Sequence, residues 1–428
     1  TPLYSSAASD VYKRQVSANM PKYMEATGID VTLESVAYPA MHEKVMMDVT
    51  SPTSFYNVWG LDSVWLNDFA AFLTPLDEWI ERDNDVVQWD DFSSVGKFIP
   101  TQDGIRYGLC LGAYDAYGWY RTDILEKLGR QYPETADKAI EILEELGLKP
   151  NHKPIHNEIT GKDDLYGYSM QAALTNVVWA FMYFWNAFGG NWIDPNTGKL
   201  AVNDEIAVTA LEWWKKLFDY GPPGMETFDF SAASAFFDSG KAVFTQAINA
   251  EHYLYVTDPA CPIYERVANN IIFQNPDTNS PYRKKGIRRG TCGTGWYGAI
   301  PKNTTNKEAA WNLIKWVTDA GNELEWENID SGRISVVDVL SKHPKYAKFL
   351  GHEPENRTYG TMGYPGGESP ALPELGAGAT QLRTPYAPKL CDILDPKIQQ
   401  CLLGKLTAKQ AMDKAYEEMI KVVPELAK

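Results

Sequence analysis

The order of strand-like and helical patterns predicts an α/β chain whose parallel or mixed sheets carry helices on their faces. Three observations point there. Residues 16–73 read in turn as helix, strand, helix, strand and helix. Residues 290–318 run from a glycine-loosened extended segment directly into an amphipathic helix. At 428 residues the protein exceeds one typical hydrophobic core, so two domains are expected.

In order, Met20, Tyr23 and Met24 share a helix face that Gly28 ends, and Ile29, Val31 and Leu33 alternate as a strand. Met41, Val45 and Val49 mark the next helix, and residues 56–62 a strand that runs into a loop at Asp62, Ser63 and Trp65. Residues 103–123 form a long, aromatic, glycine-dotted extended segment with Tyr114, Asp115 and Tyr117 at its middle. A surface helix at 136–146 follows. Residues 165–192 read as an apolar helix stopped by Gly189 and Gly190, with Trp179 near its start. Ala207, Ala210, Leu211, Trp214 and Phe218 line a further helix, and a strand begins after Gly240. Thr305 and Glu308 have the spacing of a capping box, ahead of a buried face at Ala310, Leu313, Ile314 and Val317. Residues 386–403 and 407–423 are terminal helices.

Composition removes several functions. The formal charge of −16 argues against nucleic acid, because no clustered basic face is available to neutralise phosphates. No run of eighteen apolar residues exists, so no helix is expected to span a membrane. The 5 cysteines lack the spacing of a zinc or redox motif, and His152 and His156 are separated by Pro154 in a turn, so no metal is expected. Neither a nucleophile elbow nor a phosphate-binding loop is present, so neither an enzyme nor a cofactor is expected. The pair Asp62 and Asp115 could serve glycoside hydrolysis, yet each is equally a hydroxyl acceptor. With 14 Trp and 24 Tyr, some aromatic surface should lie outside the core, where flat rings stack on sugars. Open α/β sheets bind ligands beyond the carboxyl ends of their strands, which favours Asp62, Ser63 and Trp65 as contacts, although either Asp62 or Ser63 could instead cap a helix.

Several stretches carry a family resemblance: Tyr23 through Glu34, Tyr107-Gly-Leu through Trp119-Tyr-Arg-Thr-Asp-Ile-Leu, Ala187-Phe-Gly-Gly, Phe236-Phe-Asp-Ser-Gly-Lys-Ala-Val-Phe, and Gly295-Trp-Tyr-Gly-Ala-Ile-Pro-Lys-Asn. In that order the protein, from about Val16 onward, resembles the extracellular solute-binding proteins of ABC-type carbohydrate importers, in the group that includes maltodextrin-binding proteins. The resemblance implies a two-lobed, type II periplasmic-binding-protein-like α/β fold. Each lobe would be a mixed sheet flanked by helices, with ligand in the cleft between them. It implies crossings near 112–116, 288–292 and 328–332. One lobe would then hold 16–112 plus 290–328, and the other 113–289 plus 329–428, with 1–15 as a foreign, non-matching start. The implied function is to bind a mono- or oligosaccharide, close like a flytrap, and deliver the sugar to the importer's permease subunits. The protein would be a monomer in the bacterial cell envelope, periplasmic or lipid-anchored. By position, Asp62, Ser63 and Trp65 match the first cleft loop; Tyr114, Asp115 and Tyr117 the crossing strand; Trp179 an aromatic sugar platform; and Thr294 and Trp296 the returning strand. Arg333 and Tyr386 are looser matches. After the strand at 242–246 the family's usual tryptophan is replaced by Ala250, with Asn249 beside it as the candidate contact, which argues against a long maltodextrin. The family's first strand should precede residue 16, so a weakened amino lobe is expected. A glycan-acting enzyme and a binder of a non-sugar solute such as a polyol are the alternatives.

Overall fold

The computed structural model describes residues 2–5, 10–36, 38–114, 116–174, 177–194, 197–248, 258–270, 272–277, 294–346 and 386–427. The protein divides into two compact units, one of Thr1–Tyr114, Gly293–Pro354 and Arg383–Pro385, the other of Asp115–Cys292, Glu355–Leu382 and Tyr386–Lys428.

In the first unit, β1 (Pro2–Ser5) pairs in parallel with β2 (Thr32–Ser35) through the crossover helix Asp10–Thr27. Val16, Met20 and Tyr23 are buried at helical spacing, and Gly28 ends the helix at φ 66°. The next helix, Tyr38–Val49, buries Met41, Val45 and Val49 as expected. β3 (Trp59–Asp62) then begins a separate, three-stranded sheet, β4 (Thr101–Gln102) and β5 (Ile105–Arg106) form a short hairpin, and β6 (Gly108–Tyr114) follows in the three-stranded sheet. β12 (Thr294–Ala299) lies between β3 and β6, antiparallel to both. The close ladder depends on glycines: a Cβ on Gly295 would stand 2.0 Å from the Gly112 carbonyl oxygen, and one on Gly108 2.3 Å from that of Gly298. Helix Lys307–Val317 buries Ala310, Leu313, Ile314 and Val317.

Three expectations change here. The start of the sequence is not foreign to the fold, because residues 2–5 supply the strand paired with β2 and the helix opens at Asp10. The capping box does not form: Asn306 is the N-cap, with no side-chain bond, and Glu308 pairs instead with Arg82 at 2.8 Å. Residues 329–346 belong with the first unit, and the reason is their bonding. The Asp330 carbonyl accepts the Ala113 N–H at 2.7 Å and the Gly332 carbonyl accepts the Ser93 N–H at 2.8 Å. Arg333, 1% exposed, places its guanidinium 4.3 Å over the Phe92 ring and donates to Thr318 O (2.6 Å), Val87 O (2.9 Å) and Asp91 Oδ2 (3.2 Å).

The second unit is a five-stranded mixed sheet in the order β11 (Val267–Asn270), β7 (Ala116–Arg121), β10 (Ala242–Ile248), β9 (Lys162–Ser169), β8 (Ile155–Asn157). Among the described strands of this sheet β9 and β10 alone pair in parallel, and the connection between them passes through helices Val177–Ala187, Glu205–Phe218 and Phe230–Asp238. Residues 165–169, expected in a helix, are strand. Leu165, Gly167 and Tyr168 are buried there, and Gly167 leaves room for Leu143 and Tyr220 that a Cβ would take. Helix Glu205–Phe218 buries the expected face behind its Asp204 cap, and the terminal helices Ala387–Leu402 and Ala408–Met419 pack on it. Thr407 and Gln410 close a true capping box on the last of these.

Glu323 in the first unit is fully buried, its carboxyl bonded by the Ser331 hydroxyl. Burial pushes it up from 4.5 to about 8, against the opposing pull of Ser331 and Arg333. The native state therefore keeps a proton that an unfolded glutamate has already released, and stability falls as pH rises between those values. Thermal unfolding followed from pH about 5 to about 9 should show a decline that Glu323→Gln flattens; identical declines in both proteins would contradict this role. Arg333→Ala should destabilise by about 3 kcal/mol in urea titration, since it takes this donor from two buried carbonyls and the counter-charge from half-buried Asp91, which keeps only its bonds from Ser335, whereas a loss of under about 0.5 kcal/mol would refute the assignment.

Candidate functional site

At one edge of the first unit's three-stranded sheet the carboxyl ends of β3 and β6 meet the start of β12. Asp62 closes β3, and the backbone turns at once into the 3-10 turn Ser63–Trp65 and the helix Leu66–Phe69. Asp62 caps that turn, its Oδ1 accepting the Val64 N–H at 3.1 Å, with the Ser63 hydroxyl at 3.4 Å. The capping role left open by the sequence is thus filled, and the carboxylate stays half-buried. Trp296 stands opposite Asp62 in the ladder. Its ring meets the Trp65 ring edge-on, centroids 6.0 Å apart at 86°. Tyr114 and Thr294 form the last rung between β6 and β12, so their backbones reach the same edge. Asp62, Ser63, Trp65 and Trp296 are therefore brought together from two distant segments.

Arg333 does not join them. Each of its three guanidinium nitrogens is bonded within the unit, and the expectation of a ligand contact gives way to a structural one.

In the second unit the helix Val177–Ala187 buries every residue but one, and the exception is Trp179. The backbone on either side of it is tethered. The Val178 N–H donates to buried Asp395 at 2.8 Å, satisfying one of the helix's opening donors. The Ala180 carbonyl accepts from buried Gln246 at 2.6 Å, and Gln246 in turn accepts from the Tyr168 hydroxyl at 3.1 Å. Burial pushes the Tyr168 phenol well above its ordinary range, so it remains a neutral donor. Tyr117 is 2% exposed on β7, opposite Ala247, and Tyr386 is 44% exposed at the N-cap of Ala387–Leu402. Asp115 and Asn249 lie outside the described residues. His152 and His156 form no cluster suited to a metal, nor does any other group among the described residues.

Sequence reasoning missed His42, whose ring lies beside Trp65, Asp68, whose carboxylate bonds that imidazole, and Asp395, which seats the Trp179 helix. The only signals were a polar residue beside buried Met41 and an aspartate three residues past Trp65. Nothing linear links 178 to 395.

Sequence comparison matches residues 8–323 to the family described as bacterial extracellular solute-binding protein. Solved structures share the fold across nearly the whole length. An ABC transporter solute-binding protein from Agrobacterium radiobacter, in complex with ribitol, has 22% identity and a TM-score of 0.77, covering 98% of each protein. The maltose-bound T. maritima protein has 22% identity and a TM-score of 0.73, covering 98% of this protein and 99% of its own length. A solute-binding protein from Thermotoga lettingae, bound with alpha-D-tagatose, has 17% identity and a TM-score of 0.74, covering 98% of both.

Removing the Asp395 carboxylate leaves the buried Val178 N–H without its acceptor. Asp395→Ala should cost about 1–2 kcal/mol in urea unfolding and speed amide exchange in the first turn of Val177–Ala187; unchanged exchange there would contradict the tether.

Proposed function

The protein belongs to the bacterial extracellular solute-binding proteins, and from that premise we propose that it binds a small carbohydrate or polyol and delivers it to an ABC-type importer. The observation that carries the ligand class is Trp179. On a helix otherwise wholly buried, the side chain left partly exposed is a large flat ring, held by tethers on both neighbouring residues. A partly exposed indole suits the apolar face of a sugar, and in the first unit, taken by itself, the half-buried Asp62 carboxylate beside the Trp65 and Trp296 rings suits a sugar hydroxyl. The relatives' ligands, ribitol, maltose and tagatose, are of this chemistry. Transfer requires permease subunits as partners and an envelope location, periplasmic or lipid-anchored, which the family's extracellular character supports. No helix among the described residues is long and apolar enough to cross a membrane.

An enzyme acting on glycans is the alternative. Its Asp62 would have to trade protons while capping a backbone turn, and the family supports transport instead.

Calorimetry with maltose, ribitol, D-mannitol and D-tagatose tests the reading. At least one should bind saturably and without turnover, and about 100 Kd of it should stabilise the fold by about 2.7 kcal/mol. Trp179→Ala should weaken that ligand by about tenfold, the worth of roughly one stacking contact. Absence of binding to all four, or an unchanged affinity in Trp179→Ala, would contradict the proposal.

A further inference from the structure

Among the described residues, three rings pack around the Trp65 indole, one from its own helical stretch, one from β12 and one from a separate helix. Phe69 lies four residues on in the same helical stretch, at 6.4 Å and 84°, and Trp296 is delivered by β12. The third is His42, which comes from a separate element, the helix Tyr38–Val49. Its imidazole lies 5.4 Å from the Trp65 ring at 76° and 4.9 Å from Phe69 at 45°. Its Nε2 is 2.9 Å from Asp68 Oδ2.

Asp68 follows Trp65 by three residues, so one imidazole grips the same turn twice, by its ring and by its nitrogen. The carboxylate can only accept, which makes Nε2 the proton-bearing atom and fixes the plane of the imidazole. The core gains little from this residue. His42 keeps 35% of its side chain exposed, while the helix buries Met41, Val45 and Val49 on its own account. The pair closes one more side of the Trp65 indole, which is 6% exposed and also meets Phe69 and Trp296. An indole already confined before ligand arrives loses less rotamer freedom on binding.

We propose that His42, oriented by Asp68, is a positioning residue of the carbohydrate site, holding the Trp65 ring at the end of β3 in the attitude that meets ligand. The inference rests on the carbohydrate-binding reading above. It adds a residue pair outside the expected contacts, and it predicts that affinity can be lost without loss of fold.

The test has a ligand-free arm and a binding arm. Protein labelled with 5-fluorotryptophan gives a fluorine line for Trp65, assigned by its absence in Trp65→Phe. His42→Ala and Asp68→Ala should each shift or broaden that line, whereas Asp68→Asn, which keeps an acceptor for the imidazole N–H, should leave it near its wild-type position. In calorimetry with maltose, ribitol, D-mannitol and D-tagatose, His42→Ala should weaken whichever of them binds by about tenfold, with a melting temperature within about 3 °C of wild type. A Trp65 line unmoved in both alanine variants overturns the clamp. A moved line with affinity kept within about twofold overturns its role in binding and leaves His42 a packing residue. Wild-type protein that binds none of the four overturns the carbohydrate reading itself, and the role in sugar binding with it; the fluorine arm then reports separately whether the clamp exists.

Discussion

Everything at the candidate site in the first unit depends on how closely β12 approaches β6. Gly295 faces the Gly112 carbonyl and Gly108 faces that of Gly298 at separations no Cβ could occupy. A side chain at either position would push the strands apart and break the ladder that sets Trp296 opposite Asp62. The tight backbone approach that the glycines of 290–298 allow in sequence is met at Gly295, where it is a packing requirement. Its product is the meeting of a carboxylate, a hydroxyl and two indoles drawn from segments far apart in sequence.

A second constraint is the need to satisfy buried polar groups around residues 328–333. The segment is laid into the first unit by backbone bonds to Ser93 and Ala113, and Arg333 ties together Val87, Asp91 and Thr318. Burial of such a cation is tolerated because each nitrogen finds an acceptor and the ring of Phe92 lies beneath it. Glu323 takes the other course open to a buried ionisable group and holds its proton. In the second unit the same logic recurs, where the Gln246 amide and the Asp395 carboxylate anchor the residues flanking Trp179.

Helical faces were the most legible part of the sequence, because Met41, Val45 and Val49, or Ala310, Leu313, Ile314 and Val317, repeat at the period that burial imposes. Strands were harder. Residues 165–169 carry apolar groups on both sides and precede by a few residues a helix just as apolar, so periodicity could not divide them. The strand at 2–5 has no pattern of its own and is defined by pairing with β2. Asp62, Ser63, Trp65 and Trp296 could be placed together because strand ends and a family likeness both pointed to them. Arg333 could not be read correctly, since an arginine buried among carbonyls looks in sequence like one reaching for a ligand. His42 with Asp68 and Val178 with Asp395 were invisible for the same reason: only the fold makes them neighbours.

Family membership makes this a solute-binding protein, and the proposal that its solute is a sugar or polyol rests on its aromatic rings. A ring that stacks on a sugar must pass magnetisation to the sugar's C–H face. The most direct measurement is saturation-transfer NMR with irradiation confined to the protein's aromatic protons, on a mixture of maltose, ribitol, D-mannitol and D-tagatose. Transfer to the carbon-bound protons of one of them, reduced in Trp179→Ala, is the predicted result. Transfer to none, or transfer undiminished by the loss of Trp179, would contradict the account.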